Sequence, residues 1–451
     1  MKQKDSFSSK LGFILAASGS AVGLGNLWRF PYLAAKYGGG SFLLIYLLLA
    51  VSFGFALLIT EIAIGRKTGT SSLYAFKKLN EKWSFLGVLA SIVPIIIMPY
   101  YCVIGGWVIK YAWVFLTGSG ASTATDTYFS GFIAQPVEPI IWLSIFIIAT
   151  MIVILLGVNK GIENMSKVLM PLLVILSIII AVFVITRPGA TEGIIYYLKP
   201  DLSKMSGNAF LAALGQLFYS MSLAMGIMIT YGSYLPKNED IESSVRNIEV
   251  FDTSIAFLAG LMIVPAVFVF SGGDADTLQA GPTLMFITLP KVFDSMTGGH
   301  IIGAVFFILV FFAALSSAIS LMETVVSIFV DLTKKSRKVI TICVTIYTLI
   351  MAIPSSLGFG IWDHISINGL SILDFFDFIS NSILMPIVAF LTCIFIGFVT
   401  KPKVIIDEVL KSTEKFKSEK LYVVLIKYVS PILILLILIS SILNTFGIIN
   451  L

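Results

Sequence analysis

Eleven runs of apolar residues, joined by mostly short polar links, dominate this sequence. They cover about residues 11 to 35, 41 to 65, 87 to 117, 139 to 157, 166 to 186, 208 to 234, 243 to 271, 300 to 331, 339 to 355, 370 to 399 and 421 to 446. A helix of ~20 apolar residues crosses a hydrocarbon core of ~30 Å, and each run is about that long or longer. Lipid offers no partner to a bare amide or carbonyl, so such runs must close their hydrogen bonds internally, as helices. With 57% hydrophobic and only 12% charged residues among 451, the chain reads as an all-α polytopic membrane protein with eleven transmembrane helices.

Lysine and arginine are sorted by side. Placing the amino terminus inside collects Lys2, Lys4, Lys10, Arg66, Lys67, the Lys334 to Lys338 cluster and the six lysines from Lys401 to Lys420 on the inner face. That bias sets a cytoplasmic amino terminus and, with an odd span count, an extracellular carboxyl terminus in a multi-pass plasma-membrane protein. The first run follows a polar MKQKDSFSSK without a small-residue cleavage site, and is expected to stay as a span. Two outer loops are long, Gly118 to Glu138 and Ser271 to Gly299, and the second carries PTLMFITLP, apolar enough for a short helix over the entrance. No extramembrane stretch is long enough to fold alone, so the chemistry is expected within the membrane.

The first span is poorly built for a helix. Gly19, Gly23 and Gly25 each cost ~1 kcal/mol against alanine in a helix interior, and Ser20 and Asn26 compete for backbone hydrogen bonds. Gly19 and Gly23 also form a small-xxx-small pair that suits close helix packing. Packing, however, needs neither Asn26 nor Arg29, whereas a helix broken at membrane depth binds ions and solutes through its freed backbone. The sixth run repeats the anomaly with Gly215, Gln216, Ser220, Ser222, Gly226 and Gly232. Breaks five spans apart are what two five-span units of opposite topology produce, with the site where the breaks meet. The whole chain is then one transmembrane unit, with repeat one at about 11 to 186, repeat two at about 208 to 399 and an additional helix at about 421 to 446.

Polar groups within spans point the same way, because an unpaired charge at the bilayer centre costs ~2.5 to 3.5 kcal/mol or more. Glu61, Asn26, Arg29, Gln216, Asp252, Asp331 and Asp377 are such groups. Glu61 has a structural reading as a brace for the amides of a broken helix. Asp252 has no basic residue within a turn, which leaves a cation as its simplest neutralising partner. Ser316 and Ser317 supply adjacent hydroxyls, which on a lone helix would bond back to carbonyls one turn earlier. Oxygen-rich segments of this kind suit a hard cation. Cys102, Cys343 and Cys393 lack CxxC spacing, and His300 and His364 stand apart, so no enzyme site is expected.

GSAVGLGNLWRFPYLAAKYGGGSF, GQLFYSMSLAMG, FFAALSSAIS and the FITLP of the outer loop resemble the neurotransmitter:sodium symporters, in particular their bacterial amino-acid members with eleven spans. The resemblance runs over nearly all of spans 1 to 10 and implies the five-plus-five inverted repeat with interrupted helices 1 and 6. It implies two sodium sites. The first takes the Ala21 carbonyl and the side chains of Asn26, Ser220 and Asp252, with the substrate carboxylate. The second takes carbonyls of Gly19, Val22 and Ala313 and hydroxyls of Ser316 and Ser317. The substrate carboxylate would meet the amides of Leu24 and Gly25 and the Tyr101 hydroxyl. Its ammonium would meet carbonyls of Ala21, Tyr219 and Ser220 and the Ser222 hydroxyl. Gly23 replaces the aspartate of family members that carry amines, leaving room for a substrate carboxylate. Ile97, Tyr101, Tyr219, Met225 and Leu321 would line an apolar side-chain pocket, with Ser317 beside it.

The same resemblance implies an outer gate of Arg29 and Asp377 above Tyr101 and Tyr219, and an inner gate of Lys4, Phe7, Ser233, Tyr234 and Asp331. Gly161 and Pro171 are similar to a family motif that lets span 5 unwind. Three departures matter: Lys4 and Phe7 stand for arginine and tryptophan, Tyr219 stands for phenylalanine, and Asp252 stands for an asparagine while Ala256 replaces the serine of chloride-dependent members. Tyr46, Gln216 and Ser220 of the chloride site are present. The implied function is sodium-coupled symport of hydrophobic L-amino acids, aliphatic or aromatic, without chloride. The alternative is a non-transporting sodium-dependent amino-acid sensor on the same fold. A channel is disfavoured by the gates on both sides, and no nucleic-acid partner is expected.

Overall fold

The computed structural model describes residues 6–271, 281–445 and 447–448. Among the described residues, nine helices are long and apolar enough to cross a membrane uninterrupted. They are Gly40–Thr68, Glu81–Leu116, Glu138–Leu155, Val158–Ile185, Ile241–Ser271, Gly299–Thr333, Arg337–Leu357, Ile372–Val399 and Glu419–Thr445. These are spans 2 to 5 and 7 to 11. Span 1 is the bent pair Lys10–Ala21 and Gly25–Lys36, which meet at 55°. Span 6 is the pair Gly207–Ser220 and Ile227–Gly232, separated by Met221 to Gly226.

Local chemistry starts and breaks these two spans. Ser9 caps the first half of span 1 by accepting from the Gly12 amide at 3.1 Å, and Ser206 caps span 6 through Ala209 at 3.1 Å. Val22, extended at ψ 98°, ends the first half-helix. In span 6 the chain enters the left-handed region at Ser222, Ala224 and Gly226, with φ of 52°, 61° and 70°. Two of these residues carry side chains, so the conformation is held by surroundings and not by glycine freedom.

Span 7 packs against both halves of span 1, and span 2 packs against both halves of span 6. That exchange of partners is the relation expected of two inverted five-span repeats. Spans 3 and 8 pack along each other. Gly106 permits the backbone of span 4 to approach span 3, where a Cβ would stand 2.6 Å from the Leu143 amide.

Three expectations are corrected. Span 5 begins at Val158 instead of 166, because residues Val158–Glu163 wind as a π-helix that runs into Asn164–Ile185. Polar Asn159, Lys160 and Glu163 hid that turn from an apolar window. Span 3 starts at Glu81 instead of 87, and span 6 ends at Gly232. A further helix, Ala190–Leu198, covers span 7 from the loop after span 5, with Tyr197 donating to the Phe257 carbonyl at 3.1 Å. The apolar stretch of the second long loop is helical over Leu284–Ser295, and Tyr111 ties it down by donating to the Phe286 carbonyl at 2.9 Å.

Candidate functional site

The two breaks face each other, and the tie between them is made of small hydroxyls. Ser222 donates to the Ser20 carbonyl at 2.8 Å and accepts from the Ser20 hydroxyl at 3.2 Å. On the other flank of the span 6 break, the Glu61 carboxylate accepts from the Ala224 amide at 2.7 Å. Ala224 is one of the left-handed residues, so Glu61 is the brace that its position beside a broken helix suggests. The Ser222 hydroxyl is engaged by Ser20, which the sequence marks only as a competitor for helix hydrogen bonds.

Asn26, Ser220 and Asp252 form one buried cluster. Asn26 Nδ2 donates to Asp252 Oδ1 at 2.8 Å, Ser220 Oγ donates to the same oxygen at 2.8 Å, and Tyr46 Oη donates to Asp252 Oδ2 at 3.4 Å. All three donors are neutral, and among the described residues no ion pair reaches Asp252. A buried carboxylate with only neutral donors attracts a cation, and Asn26 Oδ1, which accepts from Ser220 Oγ at 3.1 Å, adds a further oxygen to the cluster. Gln216, next to this cluster, donates to the Gly25 carbonyl at 3.0 Å, and its buried Oε1 has no partner among the described residues.

A second group of oxygens joins span 1 to span 8. Ser317 Oγ lies 3.3 Å from the Gly19 carbonyl and 3.4 Å from that of Val22. Ser316 Oγ bonds back to the Ala313 carbonyl at 3.0 Å. The two serines therefore divide the alternatives: one follows the lone-helix pattern and the other reaches across to the break. Gly19 keeps the spans close, since a Cβ there would be 3.2 Å from Ser316 Cβ.

Between these clusters lies a small cavity. Ala21, Gly23, Leu24 and Gly25 border it from the first break. Tyr219, Ser220, Ser222 and Met225 border it from the second, and Ile97, Tyr101, Ser317 and Leu321 from spans 3 and 8. Ser20, Asn26 and Ile227 also line it; Ile227 had no signal beyond an ordinary apolar residue in a helix. Polar groups are poised unevenly. Leu24 and Gly25 head the second half-helix of span 1, where the first amides have no intrahelical acceptor and the helix dipole favours an anion. Among the described residues, the buried Tyr101 hydroxyl has no hydrogen-bond partner of good geometry, with Ser317 and the Leu24 backbone facing it. Opposite, the carboxyl end of Gly207–Ser220 offers carbonyls, which favour a cation. A zwitterion fits that polarity, with its apolar part against Ile97, Met225 and Leu321.

The outer pair is not in contact here. Arg29 holds its guanidinium 5.6 Å from the Tyr219 ring centroid. Asp377 instead accepts from Asn381 Nδ2 at 2.6 Å and Tyr100 Oη at 3.2 Å. Each charge rests on a local partner, and no salt bridge joins the two. At the opposite, lysine-rich face the chain is shut. Phe7 is buried, its amide donates to the Tyr234 carbonyl at 3.1 Å, and its ring packs edge-on to Tyr231 and Tyr234. Ser233 donates to the Thr230 carbonyl at 2.7 Å. Asp331 accepts from the Ser71 amide at 2.7 Å, and Lys4 lies outside the described residues.

Buried acids stabilise this closure that no motif announced. Glu163 accepts from the amide and hydroxyl of Ser8, the hydroxyl of Ser9 and Lys167 Nζ at 2.7 to 2.8 Å. Glu323 accepts from Tyr234 Oη at 2.7 Å and from both terminal nitrogens of Arg337. Gly161 lets span 5 lie against span 4, where a Cβ would be 2.1 Å from the Val153 carbonyl.

A sequence profile described as the sodium:neurotransmitter symporter family matches residues 4–131 and 130–448. An uncharacterized sodium-dependent transporter of Haemophilus influenzae is 36% identical over 456 aligned positions, 98% of each chain. One of Bacillus subtilis is 33% identical over 97% of each. The crystal structure of MhsT in complex with L-phenylalanine is similar with a TM-score of 0.87 and 38% identity, covering 97% of this chain and all of that one.

Proposed function

The chain belongs to the sodium:neurotransmitter symporter family and is a sodium-dependent membrane transporter, not an enzyme; from that premise we propose that it carries hydrophobic L-amino acids, aliphatic or aromatic, together with sodium. The observation that carries this reading is the cavity between the two breaks, with the start of a half-helix at Leu24 and Gly25 and the buried Tyr101 hydroxyl at one end, the carboxyl end of a half-helix at Tyr219 and Ser220 at the other, and apolar walls between. MhsT, whose structure holds L-phenylalanine, supports the substrate class.

Two sodium ions are assigned, one at Ala21, Asn26, Ser220 and Asp252, the other at Gly19, Val22, Ala313, Ser316 and Ser317. Bound sodium at the first site neutralises Asp252 and attracts the substrate carboxylate. Sodium at the second staples span 1 to span 8. Together they favour the form in which the substrate is enclosed, after which Arg29 and Asp377 approach above Tyr219. Loss of sodium from the second site frees the first half of span 1 and opens the Phe7 and Tyr234 closure. The lysine-rich face is assigned to the cytoplasm of a plasma-membrane protein, with the carboxyl terminus outside.

Asp252 supplies a fixed negative charge among Tyr46, Ser220 and Asn26, so no chloride is required. Equal uptake in chloride and gluconate is expected; a several-fold loss in gluconate would refute the assignment. The leading experiment is uptake of radiolabelled phenylalanine, leucine and tyrosine into proteoliposomes with and without an inward sodium gradient. Sodium-driven accumulation is the expected result. Sodium-dependent binding without accumulation would make the chain a sensor.

A further inference from the structure

Outside the cavity, one buried carboxyl has no partner that accounts for it. Glu249 lies on span 7 one turn before Asp252, with 6% of its surface exposed. Among the described residues, its buried Oε1 has no hydrogen-bond partner and no ion pair holds the side chain. Arg246, one turn earlier, is engaged elsewhere: it donates to Ser418 Oγ at 2.5 Å, lies 4.8 Å over the Phe55 ring and approaches Glu242 at 3.9 Å. Arg246 and Asp252 are the charged groups that act on Glu249. It borders a groove lined from span 2 by Leu47, Ala50 and Val51 and from its own span by Arg246, Thr253 and Ser254.

The surroundings link this carboxyl to the moving parts. A Cβ on Gly54 would stand 2.3 Å from Met221 Sδ and 3.9 Å from Glu249 Oε1. Glu249 therefore flanks Met221, the first residue of the span 6 break. An ionised carboxylate with a donorless Oε1 and no bonded counter-ion is strongly disfavoured in such a place, and one proton removes its charge. A metal ion is a poorer occupant, because no group of three or more His, Cys, Asp or Glu forms among the described residues.

We propose that Glu249 is a proton-binding site, occupied in the closed form described here, that exchanges its proton with water on the lysine-rich side when that half of the molecule opens. On opening, the carboxyl O–H bond breaks, the proton passes to water and the carboxylate is hydrated; closing reverses the step. No net proton crossing is required. The pH on that one side then sets how readily the molecule recloses, with alkaline conditions holding it open.

The inference rests on the transporter reading above, and its test separates the two. Purified full-length protein is reconstituted with the lysine-rich face toward the lumen, and sodium-driven phenylalanine uptake is followed while luminal pH alone is varied. Wild-type uptake should fall several-fold as the lumen is made alkaline, and Glu249→Gln should flatten that response. An unchanged pH response in Glu249→Gln, or no response in the wild type, would overturn the proposal while leaving symport intact. Absence of sodium-driven uptake in both proteins would fail the transporter reading instead. Infrared spectroscopy gives an independent readout, since a protonated-carboxyl band should be present in the closed wild-type protein and lost in Glu249→Gln. An identical band in both proteins would overturn the assignment. If the glutamine variant does not fold, Glu249→Asp replaces it and should displace both the band and the pH response; no displacement would count against the site.

Discussion

At position 23 a side chain would project between Ser317 Oγ, 2.9 Å from an ideal Cβ, and Tyr101 Oη, 3.6 Å from it. That is the space in which a substrate carboxylate would lie. Gly23→Asp should therefore fill the space with a tethered carboxylate and reduce amino-acid uptake by roughly tenfold or more, while sodium still raises thermal stability. Retained wild-type uptake would show that the carboxylate binds elsewhere. Tyr101→Phe removes only the buried hydroxyl beside this space. A hydrogen bond to a charged group is worth ~1.5 to 3 kcal/mol, so KM for phenylalanine should rise about tenfold or more with fold and sodium binding kept. The motif around Gly19 to Arg29 made most of these residues legible in the sequence. Ile227 and Glu249 were not, since an isoleucine or an acid acquires meaning only from what faces it.

Elements fail or hold at their breaks. Span 6 turns through left-handed Ser222 and Ala224, and the Glu61 carboxylate takes the Ala224 amide. Glu61→Ala leaves that buried amide bare, at a cost of ~1 to 3 kcal/mol, and should lower the melting temperature and uptake together. Glu61→Gln retains an acceptor oxygen and should restore most of the stability; equal damage by both variants would argue against the brace. Span 5 makes the same point about close approach. Gly161→Ala would drive a methyl into the Val153 carbonyl, so it should destabilise the protein and separate spans 4 and 5. The presence of both breaks could be read from glycine and polar residues in long apolar runs. Their geometry could not, because positive φ at a serine and an alanine depends on contacts from spans 1 and 2.

For the molecule as a whole, the lysine-rich face is closed while Arg29 and Asp377 each keep a separate partner on the other. If that outer pair forms only on enclosing substrate, Arg29→Ala and Asp377→Ala should be non-additive for uptake yet close to additive for stability without ligand. Coupling of equal size in both measurements would mean that the pair is permanent. Sodium and phenylalanine should also raise each other's affinity by the same factor, as linkage demands. By itself the sequence determined the eleven apolar runs, the two interrupted spans and the residue types that meet between them, because lipid forces helices and penalises every unpaired polar group. Only the tertiary structure decided that Ser222 is taken by Ser20, that Ser316 and Ser317 divide their roles, and that Arg29 lies on Tyr219. These depend on distances of a few ångströms between residues far apart in the chain, and helical periodicity carries no information about such distances.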